Sequence, residues 1–78
     1  MPVIEIDLAV DARQLSCPMP IVKTAQAIKG LPSGAVIEVL ATDPGSVKDF
    51  AAWSKATGNE IVDQSVDGAV YRFVIRRK

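Results

Sequence analysis

The residue with the most distinctive chemistry is Cys17, the only cysteine of a chain that contains no histidine. A lone cysteine forms no internal disulfide, and structural zinc sites typically need four Cys or His ligands. The absence of histidine also excludes Ser–His and Cys–His nucleophilic catalysis within the chain. We therefore expect no metal and no cofactor, and the chemistry that remains is that of a single thiol.

The surroundings of Cys17 predict an activated thiol. It follows a polar loop and precedes a helix with Pro18 and Pro20 in its first turn. A helix start favours an anion, so the thiol pKa should be lowered there, although prolines supply no N–H donors. Arg13 and Lys23 are the nearest cations in the sequence, and either would assist a thiolate if it faced the sulfur.

A single activated thiolate is suited to accepting a sulfur atom. Without a second cysteine, dithiol–disulfide exchange inside the chain is excluded. Thiolates attack persulfide sulfurs, and the product Cys–S–S⁻ is an anion that the same helix start would stabilise. The alternative is that Cys17 is buried in the core, as free cysteines often are, in a non-catalytic interaction or regulatory module.

Hydrophobic periodicity predicts the element order β-α-β-α-β-β. Period-two alternation of Ile4, Ile6, Leu8 and Val10 predicts a strand over residues 3–10. Further strands are predicted over residues 35–41, over 61–66 and from residue 69 after an Asp67-Gly68 turn. Helices are predicted over residues 17–29 and from a Thr42-Asp43-Pro44 start to Gly58.

Particular positions should face the core. The residues with helical spacing are Ile21, Val22, Ala25 and Ile28 in the first helix and Val47, Phe50, Ala51 and Ser54 in the second. On the last strand, Tyr71, Phe73 and Ile75 share one face. Charges alternate with apolar residues on the strands, which indicates one solvated sheet face. We predict a two-layer α/β sandwich in one domain, residues 1–78, whose four-stranded mixed sheet carries both helices on one face.

Composition limits the function classes. Nine basic residues balance nine acidic ones, whereas nucleic-acid binders usually carry a basic excess. A sheet-face nucleic-acid binder using Arg72, Arg76, Arg77 and Lys78 is a further alternative, disfavoured because the aromatic residues beside them alternate toward the core. No apolar run approaches the ~20 residues of a membrane span, and no basic segment opens a signal peptide. We expect a cytoplasmic monomer.

The segment Asp11-Ala12-Arg13-Gln14-Leu15-Ser16-Cys17-Pro18-Met19-Pro20 resembles the signature of the TusA/SirA-like sulfur-carrier family, in which Asp-x-x-Gly-Leu precedes Cys-Pro-x-Pro. Similar segments follow in the same order over nearly the whole chain. They are Ala41-Thr42-Asp43-Pro44, Lys48-Asp49, Thr57-Gly58-Asn59-Glu60 and the last strand, residues 71–76.

The resemblance implies a persulfide carried on Cys17. Its donor would be a cysteine desulfurase or a rhodanese, and its acceptor a relay protein of the DsrE type, with no direct contact to nucleic acid or membrane. The supporting residues would be Pro18 and Pro20, which make the first turn rigid, together with Asp11, Arg13 and Lys23. Gln14 stands where the family commonly has glycine, so the loop backbone is expected to differ. Asn59 stands where histidine is frequent.

Overall fold

The computed structural model describes residues 5–78. Its elements follow the predicted β-α-β-α-β-β order. They are β1 (Leu8–Ala12), α1 (Met19–Ile28), β2 (Val36–Ala41), α2 (Ser46–Thr57), β3 (Glu60–Asp67) and β4 (Val70–Arg76).

The four strands form one mixed sheet in the order β1-β2-β4-β3. β1 and β2 are parallel and are joined through α1, which is the expected βαβ unit. β4 is antiparallel to both β2 and β3, and the β3–β4 hairpin turns at Gly68, whose φ is 61°. The mixed sheet and the Asp67-Gly68 hairpin are therefore confirmed.

The core lies between the sheet and the two helices. Alternate residues of β2 and β4 point into it, including Val39 and Phe73, which are fully buried. Phe50 of α2 stacks on Phe73 with ring centroids 4.5 Å apart, and the rings of Phe50 and Trp53 pack in a T-shaped arrangement with centroids 6.0 Å apart. The predicted two-layer arrangement is confirmed.

The other sheet face carries a network of charges. Arg72 forms ion pairs with Glu38 of β2 and Asp63 of β3, and Arg76 pairs with Glu60. Val74 shares this face and is fully buried, as expected when the aliphatic stems of long side chains cover a sheet. The face is polar as predicted, but its charges neutralise one another within the sheet.

The first strand differs from its prediction. It runs from Leu8 to Ala12 instead of over residues 3–10, and Ile4 lies outside the described residues. Parallel pairing with β2 continues as far as Ala12, so backbone hydrogen bonding carries the strand through the polar Asp11. Val10 and Ala12 face the core, whereas Leu8 is 37% exposed.

The helix starts and faces also differ in detail. α1 begins at Met19, and its buried stripe is Pro20, Thr24 and Ile28, whereas Val22 is exposed. The Thr24 hydroxyl donates a hydrogen bond of 2.8 Å to the Pro20 carbonyl, which makes its burial inexpensive.

α2 begins later than its Thr42-Asp43-Pro44 prediction, at Ser46 with Gly45 as N-cap, and Ala51 is exposed. Asp43 nevertheless takes part in the turn, because its Oδ2 accepts a hydrogen bond of 3.2 Å from the Gly45 N–H. The predicted end of α2 at Gly58 is correct, with a left-handed φ of 81° at that glycine.

Candidate functional site

Cys17 lies in the loop between β1 and α1, one residue before Pro18, the N-cap of α1. Its side chain is exposed, which contradicts the alternative of a buried structural cysteine. Gly45, the N-cap of α2, is close by: a methyl group placed on it would lie 3.9 Å from the Cβ of Cys17. The thiol therefore stands where the first turns of both helices meet.

The sheet topology explains this convergence. β1 leads into α1, β2 leads into α2, and the two strands are parallel neighbours, so both helices begin beside the same edge of the sheet. In open α/β sheets this edge, at the carboxyl ends of the strands, is the usual place for a functional site.

The thiol of Cys17 donates a hydrogen bond to Oδ2 of Asp49, which belongs to the first turn of α2. The backbone N–H of Asp49 donates to the Gly45 carbonyl at 3.0 Å, so the carboxylate is carried by a regular helical turn. This contact joins residues that are 32 positions apart in the sequence.

The electrostatics of the site oppose ionisation of the thiol. The pKa of Cys17 is raised above its ordinary value, first by the hydrogen bond to Asp49, then by partial desolvation and by the negative charges of Asp49 and Asp43. The prediction of a lowered pKa was therefore wrong. Pro18, which directly follows the cysteine, offers no N–H donor to a thiolate, whereas Asp49 presents a full negative charge in direct contact.

The two cations expected near the thiol are engaged elsewhere. Arg13 forms a two-pronged ion pair with Asp11, with Nε–Oδ1 and Nη2–Oδ2 distances of 2.9 and 3.0 Å. These hydrogen bonds lower the pKa of Asp11 to about 2. Lys23 donates from Nζ to the backbone carbonyl of Asp11 at 2.5 Å. Asp11, Arg13 and Lys23 thus form a cluster of their own, and the described contacts of both cations are with Asp11 instead of the sulfur.

Gln14 holds the loop that leads to the cysteine. Its φ is 67°, in the left-handed region that glycine favours, so the loop has a glycine-type backbone at this position despite the side chain. The Gln14 N–H donates to Oγ1 of Thr42 at 2.8 Å, which ties the loop to the end of β2. With Asp11 and Arg13, these two residues line an open hollow of about 320 Å³.

The two prolines have different surroundings. Pro20 is fully buried and anchors the first turn of α1 in the core, whereas Pro18 is exposed and forms a cis peptide bond with Cys17. The N–H of Met19 donates to the Ser16 carbonyl at 2.8 Å. Met19 is 47% exposed, so apolar surface adjoins the thiol on α1.

Asp49 is the site residue that the sequence analysis missed. As one of a Lys-Asp pair in the second helix it resembled a family motif, but no chemistry was assigned to it. The available signal was topological: parallel β1 and β2 bring the first turns of the helices together, and Asp49 is the acidic residue in the first turn of α2.

The remaining candidate groups have structural partners. The side chain of Asn59 donates to Oγ1 of Thr57 at 3.0 Å and accepts from the Lys78 N–H at 2.9 Å, at the far end of α2. Arg77 donates to the Leu31 carbonyl at 2.7 Å. With Arg72 and Arg76 paired to carboxylates, three of the four basic residues of the nucleic-acid alternative are engaged within the chain.

Within residues 5–78, no three Cys, Asp or Glu side chains are grouped so that they could hold a metal ion. In the same part of the chain, every helix is too short or too polar to cross a bilayer.

Comparisons with known proteins show the family of the chain. A family model described as sulfurtransferase TusA matches residues 8–77. The chain is 42% identical over 73 residues to the sulfur carrier protein TusA of Allochromatium vinosum, covering 94% of this chain and 96% of that protein. It is 32% identical over 72 residues to the sulfur carrier protein TusA of Pseudomonas putida, covering 92% and 90% of the two chains.

The fold is shared with a solved structure as well. A SirA-like protein from Desulfitobacterium hafniense superposes with a TM-score of 0.77 at 22% identity, covering 88% of this chain and 95% of that one. The family match over residues 8–77 and the two relatives above 30% identity lead to one conclusion: this chain belongs to the TusA family of sulfurtransferases.

Proposed function

We propose that this protein is a sulfur carrier that accepts a sulfane sulfur on Cys17, holds it as a persulfide and passes it to an acceptor protein. The observation that carries the proposal is the exposed Cys17 thiol at the meeting point of two helix starts, in a chain of the TusA family. Exposure matters because both the donor and the acceptor must reach the same sulfur atom.

The transfer follows the ordinary chemistry of thiols. The Cys17 sulfur, as thiolate, attacks the outer sulfur of a donor persulfide, a new S–S bond forms, and the donor leaves as its own thiolate. The sulfane sulfur is transferred from the donor to Cys17 without net oxidation or reduction. In the second transfer the acceptor thiolate attacks the outer sulfur of the Cys17 persulfide, and the carrier thiol is regenerated.

The loop and the first turn of α1 hold the sulfur outward. Pro20 is packed into the core, and Gln14 is bound to Thr42, so the chain on both sides of Cys17 is anchored. The loop begins at the end of β1, where Arg13 and Lys23 both donate hydrogen bonds to Asp11 and hold the chain in place. In this proposal these residues support the position of the thiol and do not touch the transferred sulfur.

A sulfur carrier works between a sulfur donor and a sulfur acceptor. We propose a cysteine desulfurase or a rhodanese as donor and a DsrE-type relay protein as acceptor. The exposed Met19 beside the thiol is suited to a small, transient contact with either. The proposal places the carrier in the cytoplasm, where reducing conditions keep an exposed thiol free.

The test is intact-mass spectrometry under non-reducing conditions after incubation with a cysteine desulfurase and cysteine. We expect a gain equal to one sulfur atom that disappears on reduction and is absent in Cys17→Ser. A parallel incubation uses a rhodanese with thiosulfate. If the wild-type protein stays unmodified with both donor systems while the donors load a control thiol, the carrier function is wrong.

A further inference from the structure

Asp49 faces two different chemical states of Cys17, the thiol of the unloaded carrier and the persulfide of the loaded carrier. In the unloaded carrier, the Cys17 thiol is neutral and donates its hydrogen to the Asp49 carboxylate. In the loaded carrier, the sulfur next to the protein has no hydrogen to donate, and the outer sulfur is an anion at neutral pH. The same carboxylate therefore attracts the first state and repels the second.

The other charges around the thiol do not cancel this effect. Asp43 adds a second negative charge from the turn before α2, where its Oδ2 is fixed by the Gly45 N–H. Arg13 and Lys23, from the loop and α1, bind Asp11. Lys48, beside Asp49 in the sequence, is exposed. The helix starts supply the favourable field for an anion, and the two carboxylates oppose it.

From this geometry we propose that Asp49 biases the carrier toward release: it stabilises the unloaded thiol and destabilises the bound persulfide, so that sulfur passes readily to an acceptor. The inference rests on the proposed sulfur-carrier function and adds that Asp49 shifts the loading equilibrium toward the unloaded carrier. A carrier that held its persulfide more tightly would load easily but deliver poorly.

The equilibrium concerned is carrier–SH + R–S–S⁻ ⇌ carrier–S–S⁻ + R–SH. One S–S bond breaks in the donor and one forms on Cys17, and the proton of the carrier thiol ends on the thiol that the donor becomes. No oxidant or reductant is consumed. Asp49 acts on this equilibrium through its charge and its hydrogen bond, and it forms no bond to the transferred sulfur.

The expected size follows from the exposure of the site. In water-like surroundings, two unit charges about 4 Å apart change an equilibrium roughly fivefold. Replacing Asp49 by asparagine should therefore raise the loading equilibrium constant about fivefold. The charge-retaining variant Asp49→Glu should stay close to wild type. Asp67→Asn, the same change on an exposed residue at the end of β3, is the matched control and should leave the constant unchanged.

The experiment equilibrates each variant with known ratios of cysteine persulfide and cysteine and reads the loaded fraction by intact mass. Circular dichroism confirms that each variant is folded. Raising the salt concentration should increase loading of the wild type more than that of Asp49→Asn, because salt screens the repulsion by both carboxylates in the wild type and by Asp43 alone in the variant. The wild-type series needs no substitution, so a flat result overturns the proposal even if Asp49→Asn does not fold.

The outcomes separate the two proposals. If wild type loads but Asp49→Asn loads equally or less, or the salt series is flat, the bias by Asp49 is wrong and the carrier function stands. If the wild-type protein does not load at any persulfide ratio, the carrier function itself fails. A rise that also appears in Asp67→Asn would show an effect of net charge and would overturn the role of Asp49.

Discussion

Replacing Asp49 by asparagine removes a negative charge from the Cys17 thiol while leaving an oxygen that can still accept its hydrogen bond. In the wild-type protein this carboxylate is the first cause of the raised thiol pKa. The substitution should therefore lower the pKa of Cys17 and increase the fraction of reactive thiolate at neutral pH. With the thiol exposed, the gain should be roughly fivefold, the size of a contact between unit charges in water-like surroundings.

The assay is the rate of alkylation by iodoacetamide as a function of pH. Iodoacetamide is neutral, so a change in protein charge does not alter its encounter with the thiol. We expect the Asp49→Asn profile to shift to lower pH, to exceed wild type about fivefold near pH 7 and to converge with it at high pH, where both thiols are ionised. Asp67→Asn should superimpose on wild type.

Two results would refute this reasoning. Identical pH profiles for Asp49→Asn and wild type would mean that the carboxylate does not control ionisation of Cys17. A rate increase of the same size at every pH, including the high-pH plateau, would mean that the substitution only opened access to the sulfur.

Three further predictions concern stability. Gln14→Gly should raise the free energy of unfolding by about 1 kcal/mol, measured by urea denaturation, because the φ of 67° costs glycine nothing; an unchanged midpoint would contradict a strained loop. Hydrogen bonds from Arg13 lower the pKa of Asp11 from 3.8 to about 2. The contribution of this pair to the free energy of unfolding is therefore present above pH 3.8 and is lost as the pH falls through about 2. The melting temperature of Asp11→Asn should therefore fall less than that of wild type on acidification, and equal falls would count against the pair. Phe50→Ala should cost about 3–5 kcal/mol by removing the ring stacked on Phe73, and loss of the cooperative thermal transition is the expected readout.

The element order and sheet type could be predicted because they depend on local patterns. Alternation on β4 placed Phe73 and Ile75 in the core, and the Asp67-Gly68 pair fixed the hairpin. The buried stripe of α1 was harder to predict, since a polar residue lies in it. Thr24 is buried because its hydroxyl is satisfied by the Pro20 carbonyl one turn earlier, which hydrophobicity alone does not reveal.

The sequence singled out Cys17 as the candidate site residue, but it did not reveal the charges around the thiol. Cys17 stood out by type and by its place before a proline-marked helix start. The cations were chosen by nearness in the sequence, but Arg13 has a carboxylate two positions away in Asp11 and pairs with it. Asp49 lies 32 positions from Cys17 and becomes its neighbour only through the parallel pairing of β1 with β2. Long-range contacts of this kind follow from topology, and no local pattern contains them.

The raised pKa of the Cys17 thiol shows that the helix starts do not alone set the charge at the site. Two first turns converge on Cys17, an arrangement that favours an anion, yet the resting thiol is kept protonated by a carboxylate that one of those turns carries. Opposed influences of this kind suit a carrier better than either alone. A site with only helix starts would hold a persulfide anion firmly and expose a reactive thiolate when empty. A site with only carboxylates would resist loading. Under the proposed function and the proposed role of Asp49, the two influences together protect the empty thiol and hold the loaded sulfur only loosely, so contact with a partner decides when sulfur moves.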